Sequence, residues 1–361
     1  MDWGLERALE RLWGLEFEPA TPMVSRLSRP KGFVVAERRI KASPRGSYAV
    51  YLVWKEGHTT LRVARELSRL LGGEARFLGL KDSNAVTYQY MFVRAARDPP
   101  PVVEGRGFKA WLVGYREKPP ALGGHLWNNF RLDVEIVEGD PDGLCSAVRG
   151  LVVPGLYGPQ RFGVDRPNTH LVGLLLKLAG YGMIAIEYRY RYPLQRRYSG
   201  GYEERALREV RAARDPLRAL KGLPASIAVE ALQSYIWNRM VSTVYRPRDP
   251  PLVYERETGA LCPERRTAWA SRLPSRRLYW SRGSWASLLR RILSEESLSP
   301  WILPARAPMR PVGVEPCRLA CRVLEPARAR LWVSLPRGLY ATMVVRALSY
   351  VEWLGGPGGI D

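Results

Sequence analysis

The sequence predicts a mixed α/β (α+β) protein, with a sheet assembled from both ends of the chain and a second α/β unit inserted between about Asp165 and Pro304. Three observations predict it. Runs over 48–54, 85–93, 108–115 and 330–335 alternate in the manner of half-buried strands. Helical spacing punctuates them at 5–15, 58–71 and 225–244. Between 165 and 304 the chain turns basic, aromatic and poorly periodic. At 361 residues it can bury a full core and form two domains, here 1–164 plus 305–361, and 165–304.

Leu5, Leu9 and Leu12 recur at helical spacing and predict an amphipathic first helix. Arg26 to Glu37, through Arg29-Pro30-Lys31-Gly32-Phe33, reads as a basic turn running into a strand. His58-Thr59-Thr60 caps a helix that Gly72-Gly73 ends, a cap or surface role that suits His58 better than catalysis. Then comes strand, tight corner, strand. Phe77 to Leu80 is apolar, Lys81 to Asn84 is a polar turn, and Val86, Tyr88, Tyr90 and Phe92 share one face of the second strand. After the Asp98-Pro99-Pro100-Pro101 loop, Asn128-Asn129-Phe130 opens an alternating strand, and Gly155 to Gly163 fixes the backbone around Gln160 and Arg161. Asn168 caps an apolar helix, Pro247, Pro250 and Pro251 break the chain after 225–244, a further helix falls at 285–293, and the glycines of 355–359 fray.

The charge points to a polyanion. Fifty-six Lys and Arg against 35 Asp and Glu leave +21, and only eight of the basic residues are Lys. Between Tyr188 and Arg218, Arg and Tyr interleave, a pattern that pairs with phosphates and stacks on exposed bases. Cys145, Cys262, Cys317 and Cys321, with His58, His125 and His170, lack metal-site spacing. No basic leader or long apolar span occurs, which favours a soluble, cytoplasmic protein. No Gly-x-x-x-x-Gly-Lys-Ser/Thr loop supports a GTPase, and no Gly-rich turn after an early strand supports a nucleotide-dependent methyltransferase.

An acid at a corner between two strands has a fixed direction, which makes Asp82 a candidate catalytic group. The competing role is a turn in which the carboxylate bonds its own backbone. Gly79-x-Lys81-Asp82-x-x-Ala85-x-Thr87-x-Gln89 resembles the signature of the TruD-type tRNA pseudouridine synthases. Further segments are similar to that family in order: Asn128-x-Phe130, Gly158-x-Gln160-Arg161-Phe162-Gly163, the helix around Ala231-Leu232-Gln233-Ser234, and Leu335-Pro336-x-Gly338 through Tyr340-Ala341-Thr342 to Arg346. The match is poorest between 246 and 301. Leu27 stands where the family carries a functional Lys or Arg, and Leu339 and Ala347 replace Ser and Glu.

The resemblance implies a pseudouridine synthase-type catalytic domain with a mixed, mostly antiparallel sheet and an inserted TRUD-type domain, the RNA lying in the cleft between them. It implies an isomerase that acts on tRNA, at uridine 13 of the D arm, without cofactor or metal, as a monomer. Asp82 would be the nucleophile, acting on the sugar, the base or a neighbouring proton. Asn128 would lie beside it, and Phe130 would stack on the everted base. Gln160, Arg161, Phe162 and Lys81 join the substrate-binding set. The carboxylate needs a cation nearby. Lys81 is adjacent, but successive residues of an extended chain point apart, so Arg26 or Arg29 is at least as good a candidate. The alternative is a non-catalytic RNA-binding protein derived from such a synthase.

Overall fold

Alternation in the sequence becomes one large sheet. The computed structural model describes residues 3–94, 98–119, 127–163, 169–171, 173–174, 225–248, 268–316 and 318–353. The Asn168 cap, His125, the Arg- and Tyr-rich tract of 188–218, Cys262, Cys317, Pro250, Pro251 and the Gly-rich tail lie outside them. The strands are β1 (Val24–Leu27), β2 (Phe33–Glu37), β3 (Tyr48–Lys55), β4 (Ala75–Phe77), β5 (Val86–Arg94), β6 (Val102–Gly105), β7 (Phe108–Arg116), β8 (Trp127–Glu138), β9 (Val153–Pro154), β10 (Ala268–Arg272), β11 (Met309–Val314), β12 (Arg318–Glu325), β13 (Arg328–Pro336) and β14 (Tyr350–Val351). The helices are α1 (Trp3–Leu12), α2 (Thr60–Leu71), α3 (Pro141–Ser146), α4 (Ala225–Val244), α5 (Arg276–Tyr279), α6 (Ser284–Glu295) and α7 (Thr342–Leu348).

Eleven strands form the main sheet in the order β12-β13-β8-β2-β5-β3-β7-β6, with β1 on β8, β14 on β1 and β4 on β5. Among the described strands only β2/β5 and β1/β14 run parallel. The sheet draws β12 to β14 from the C-terminal end of the chain and the rest from its first 138 residues, as the patterning predicts. Thr59 caps α2 by accepting from Arg62 N, and Gly72 closes it at φ 66°, a left-handed conformation that glycine adopts at no steric cost.

The register puts one face of this sheet over two apolar clusters. Ala49, Tyr51 and Val53 of β3 and Met91 and Val93 of β5 pack on Val63, Ala64 and Leu67 of α2. Leu132 and Val134 of β8 and Leu331, Val333 and Leu335 of β13 pack with Met343 and Val344 of α7 and Trp237 of α4. Each such side chain stabilises the fold by about 1.5–3 kcal/mol when removed from water. Between the clusters the same face carries Lys55, Thr87, Gln89, Glu37 and Asn128, all buried. A polar stripe therefore divides the core.

Elements of the 165–304 segment are tied to the rest. Strand β10 pairs with β11, and β11 with β9, in a small antiparallel sheet that crosses the expected boundary. Helix α4 turns Trp237 and Val241 to the large cluster and Leu232, Ile236 and Met240 to a third one with α6. A disulfide between Cys145 of α3 and Cys321 of β12 fastens the sheet's edge, a pairing hidden in the sequence by a separation of 176 residues.

Candidate active site

The Lys81–Asn84 corner is wider than the sequence suggests. Strand β4 pairs with the far end of β5, Phe77 opposite Met91, so residues 78–85 must run back along the sheet as a loop. Buried Leu78 and Ala85 pin its ends. Helix α2 holds its middle: Thr60 Oγ1 accepts from Lys81 N at 2.9 Å and donates to Gln89 Oε1 at 3.0 Å. From below, Lys55 Nζ donates to the backbone carbonyls of Asp82 and His58, both at 2.8 Å. Burial lowers the Lys55 pKa to about 8, with the Asp82 charge opposing that shift and Lys81 adding to it.

Two ion pairs leave this loop. Lys81 Nζ meets Glu37 Oε1 at 2.7 Å, with the Lys side chain 7% exposed and the Glu fully enclosed. Glu37 Oε2 also accepts from Tyr90 N at 2.8 Å. Asp82 Oδ2 meets Arg29 Nη1 at 2.7 Å, with side-chain exposures of 22% and 9%. The same Arg29 nitrogen donates to Asn84 O at 2.7 Å, and its guanidinium lies 3.9 Å over the Phe33 ring. Asp82 Oδ1 accepts from Asn84 N at 3.2 Å, which is the turn-type bond the sequence allows for. Gln160 Nε2, from a distant segment, donates to Asp82 Oδ2. The carboxylate is thus held from three directions while part of it faces solvent.

Gln160 is placed by a rigid approach. Arg310 donates to Gly155 O at 2.6 Å, Leu156 O at 3.2 Å and Gly338 O at 3.0 Å. Asn238 of α4 accepts from Tyr157 N at 2.8 Å and donates to Tyr157 O at 3.0 Å. A Cβ at Gly155 would stand 1.6 Å from Pro311 O, so only glycine fits there.

The remaining predicted residues divide. Phe130 is half-buried on β8, in edge contact with Phe33 at 6.1 Å, which links it through Phe33 and Arg29 to Asp82. Asn128, two residues earlier, is buried with Oδ1 unpartnered. Arg26 is elsewhere engaged, with Glu352 and with Glu135 at 3.6 Å; its charge is not spent on Asp82. Lys81 is likewise consumed by Glu37 rather than open to a substrate. Arg161 pairs with Glu230 at 2.7 Å and Ser234 at 3.1 Å. Phe162, expected among the substrate contacts, is fully buried against His170 and belongs to the packing, because the Pro159–Arg161 turn swings it inward. Leu27, at the position where a basic residue was expected, is buried in the core, and Arg29 supplies the charge two residues later.

Lys55 and Glu37 escaped the sequence reading, although the signal exists. Ala49, Tyr51 and Val53 point inward and Lys55 keeps their parity; Phe33 and Val35 do the same for Glu37. A charged residue on the inward parity of an apolar strand requires a partner. Chemically, the arrangement offers one partly open carboxylate, oriented by a guanidinium and an amide, beside two aromatic rings. Among the described residues no group of three or more potential ligands could hold a metal, and no helix is long and apolar enough to cross a membrane.

Residues 26–192 match the family model described as tRNA pseudouridine synthase D (TruD). A Sulfurisphaera tokodaii protein bearing the name probable tRNA pseudouridine synthase D is 26% identical over 93% of this chain and 96% of its own length. A Pyrobaculum aerophilum protein of the same name is 27% identical over 87% of each chain. The crystal structure of a Methanosarcina mazei protein described as TruD superposes with a TM-score of 0.66 at 20% identity, covering 94% of this chain and 97% of that one. The fold is shared along nearly the full length of both.

Proposed function

We propose that this chain is a member of the tRNA pseudouridine synthase D family that it resembles, and that it isomerises a uridine of tRNA to pseudouridine, with uridine 13 of the D arm as target. The reaction breaks the bond from ribose to the uracil nitrogen, turns the base and rejoins it through carbon 5. Atoms and oxidation state are conserved. Asp82 is the nucleophile in this reading. The observation that carries it is the Asp82 carboxylate, gripped at Oδ2 by Arg29 and Gln160 yet open on one side.

The base must leave its stack, at a cost of a few kcal/mol. The half-buried ring of Phe130 replaces that stacking, worth about 1–3 kcal/mol. Asn128, buried opposite Glu37 in the β2/β8 pair, supports the strand that carries Phe130. The surplus of basic residues holds the phosphates, so binding weakens steeply with salt. The protein works as a cytoplasmic monomer, with 1–164 plus 305–361 as the catalytic domain and 165–304 as the RNA-binding insertion. Helix α4, within 165–304, packs on both the main core and the α6 cluster and so joins the two parts. Carbodiimide primer extension on an unmodified tRNA transcript incubated with purified protein tests the proposal. A new stop at position 13 is expected; a stop only at another uridine overturns the target, and none anywhere overturns the activity.

A further inference from the structure

A cavity of about 580 Å³ opens between α1, the C-terminal end of α4 and β14, lined by Arg7, Arg11, Arg246 and Arg346 among others. Arg346 is among its buried residues, 1% exposed. Its Nε and Nη2 bind Glu10 at 2.5 and 2.9 Å, and Nη2 also reaches Phe17 O at 2.8 Å. Its Nη1 has no partner. The buried guanidinium lies over the Phe17 ring at 4.3 Å and the Tyr350 ring at 5.2 Å, so it forms the floor of the cavity.

The rim carries the unbalanced charge. Each acid there is occupied: Glu10 by Arg346, Glu16 by Arg239 at 3.7 Å and Glu18 by the Tyr350 hydroxyl. Among the described residues, exposed Arg7 and Arg11 have no ion-pair partner; Arg7 lies over the Tyr350 ring at 5.8 Å, and Arg246 donates only to the Tyr245 carbonyl. Three exposed guanidinium groups without an acid partner suit phosphate oxygens.

We propose that this cavity is a second RNA contact, which seats a backbone phosphate of the substrate remote from the modified uridine. Helix α4 sets the distance. Glu230, near its start, holds Arg161, while Ser242 and Thr243, near its end, line the cavity. Twelve to thirteen residues at 1.5 Å each span roughly 18–20 Å. A stacked strand covers that in about six steps of ~3.4 Å.

The inference rests on the proposed function for the identity of the ligand, and its test is a binding measurement that needs no turnover. Affinity for a tRNA transcript is measured against salt for the wild type and the Arg11→Gln/Arg246→Gln double variant. The variant should bind about 10-fold more weakly, with a log–log salt slope shallower by about 1. Its KM should rise with kcat unchanged. An unchanged slope and KM overturn the inference even where the wild type makes pseudouridine; a wild type that makes none sinks the functional reading and leaves the slope to decide this one. Inorganic phosphate is titrated as a second arm. Phosphate binding that the variant loses while its RNA slope stays at the wild-type value means a free-anion site and also overturns the inference. Should the double variant fail to fold, Arg7→Gln on the exposed face of α1 provides the same readout.

Discussion

Lys81 and Asp82 are consecutive, and each forms an ion pair with a residue more than forty positions earlier, but the two pairs occupy different environments. Lys81 with Glu37 is sealed beneath the loop, and Glu37 also accepts the backbone of β5. Asp82 with Arg29 sits at the rim, with the carboxylate partly in solvent and reached from a second segment by Gln160. Successive residues of an extended loop point to opposite sides, so one charge goes into the sheet and the other into the cleft. The inward pair is an anchor. The outward pair is the one with chemistry to offer, and it owes its direction to the anchor.

Substitutions at four positions break or sharpen that contrast, from the largest effect to the smallest. Glu37→Leu leaves the Lys81 charge buried and unpaired, and should cost about 3–5 kcal/mol in denaturant unfolding; a loss under about 1 kcal/mol would mean that the pair is not sealed. Arg29→Leu should cost less stability, about 1–3 kcal/mol, but lower single-turnover rates about 100-fold as Asp82 loses its direction. Arg29→Lys should recover only part of that, because an ammonium cannot reproduce the planar fork over Phe33.

Lys55 supplies a pH test of the anchor. Its pKa is near 8 in the folded protein against about 10.5 in an open chain. Below pH 8 both states hold the proton and the folded state bears the full cost of the buried charge. Above it the folded state releases the proton first, so stability from this group rises with pH up to about 10.5. Between pH 7 and 9.5 the rise should be on the order of 2 kcal/mol, and it should be absent in Lys55→Met. Parallel curves for the two proteins would refute the assignment. Arg26→Gln should do least, about 1 kcal/mol of stability and turnover within a few-fold of wild type, because its charge serves Glu352 and Glu135 at the sheet's edge.

Much of this was legible in the chain. The helix at 225–244 and the α2 caps could be read because twenty regular residues before a proline, or Thr and Gly at either end of twelve, leave few alternatives. Asp82, Asn128, Phe130 and Gln160 came from the resemblance, and the partner of Asp82 was narrowed to Lys81, Arg26 or Arg29 but not chosen. The choice is tertiary: it depends on Leu27 entering the core and on a guanidinium crossing to a loop 53 residues away. Strands β10 and β11 went unread because a register shift at Trp269/Ala270 and a proline at 311 interrupt their alternation. Phe162 was misplaced because an aromatic beside Gln and Arg looks available for stacking until the turn that buries it is known.

The most direct test removes the charge and keeps the shape. Asp82→Asn retains an acceptor for Asn84 N and the size of the side chain, so the loop and the RNA surface should persist. The variant should bind tRNA transcript within a few-fold of wild type and form no pseudouridine in the primer-extension assay. Pseudouridine appearing at a rate near that of wild type would contradict the account.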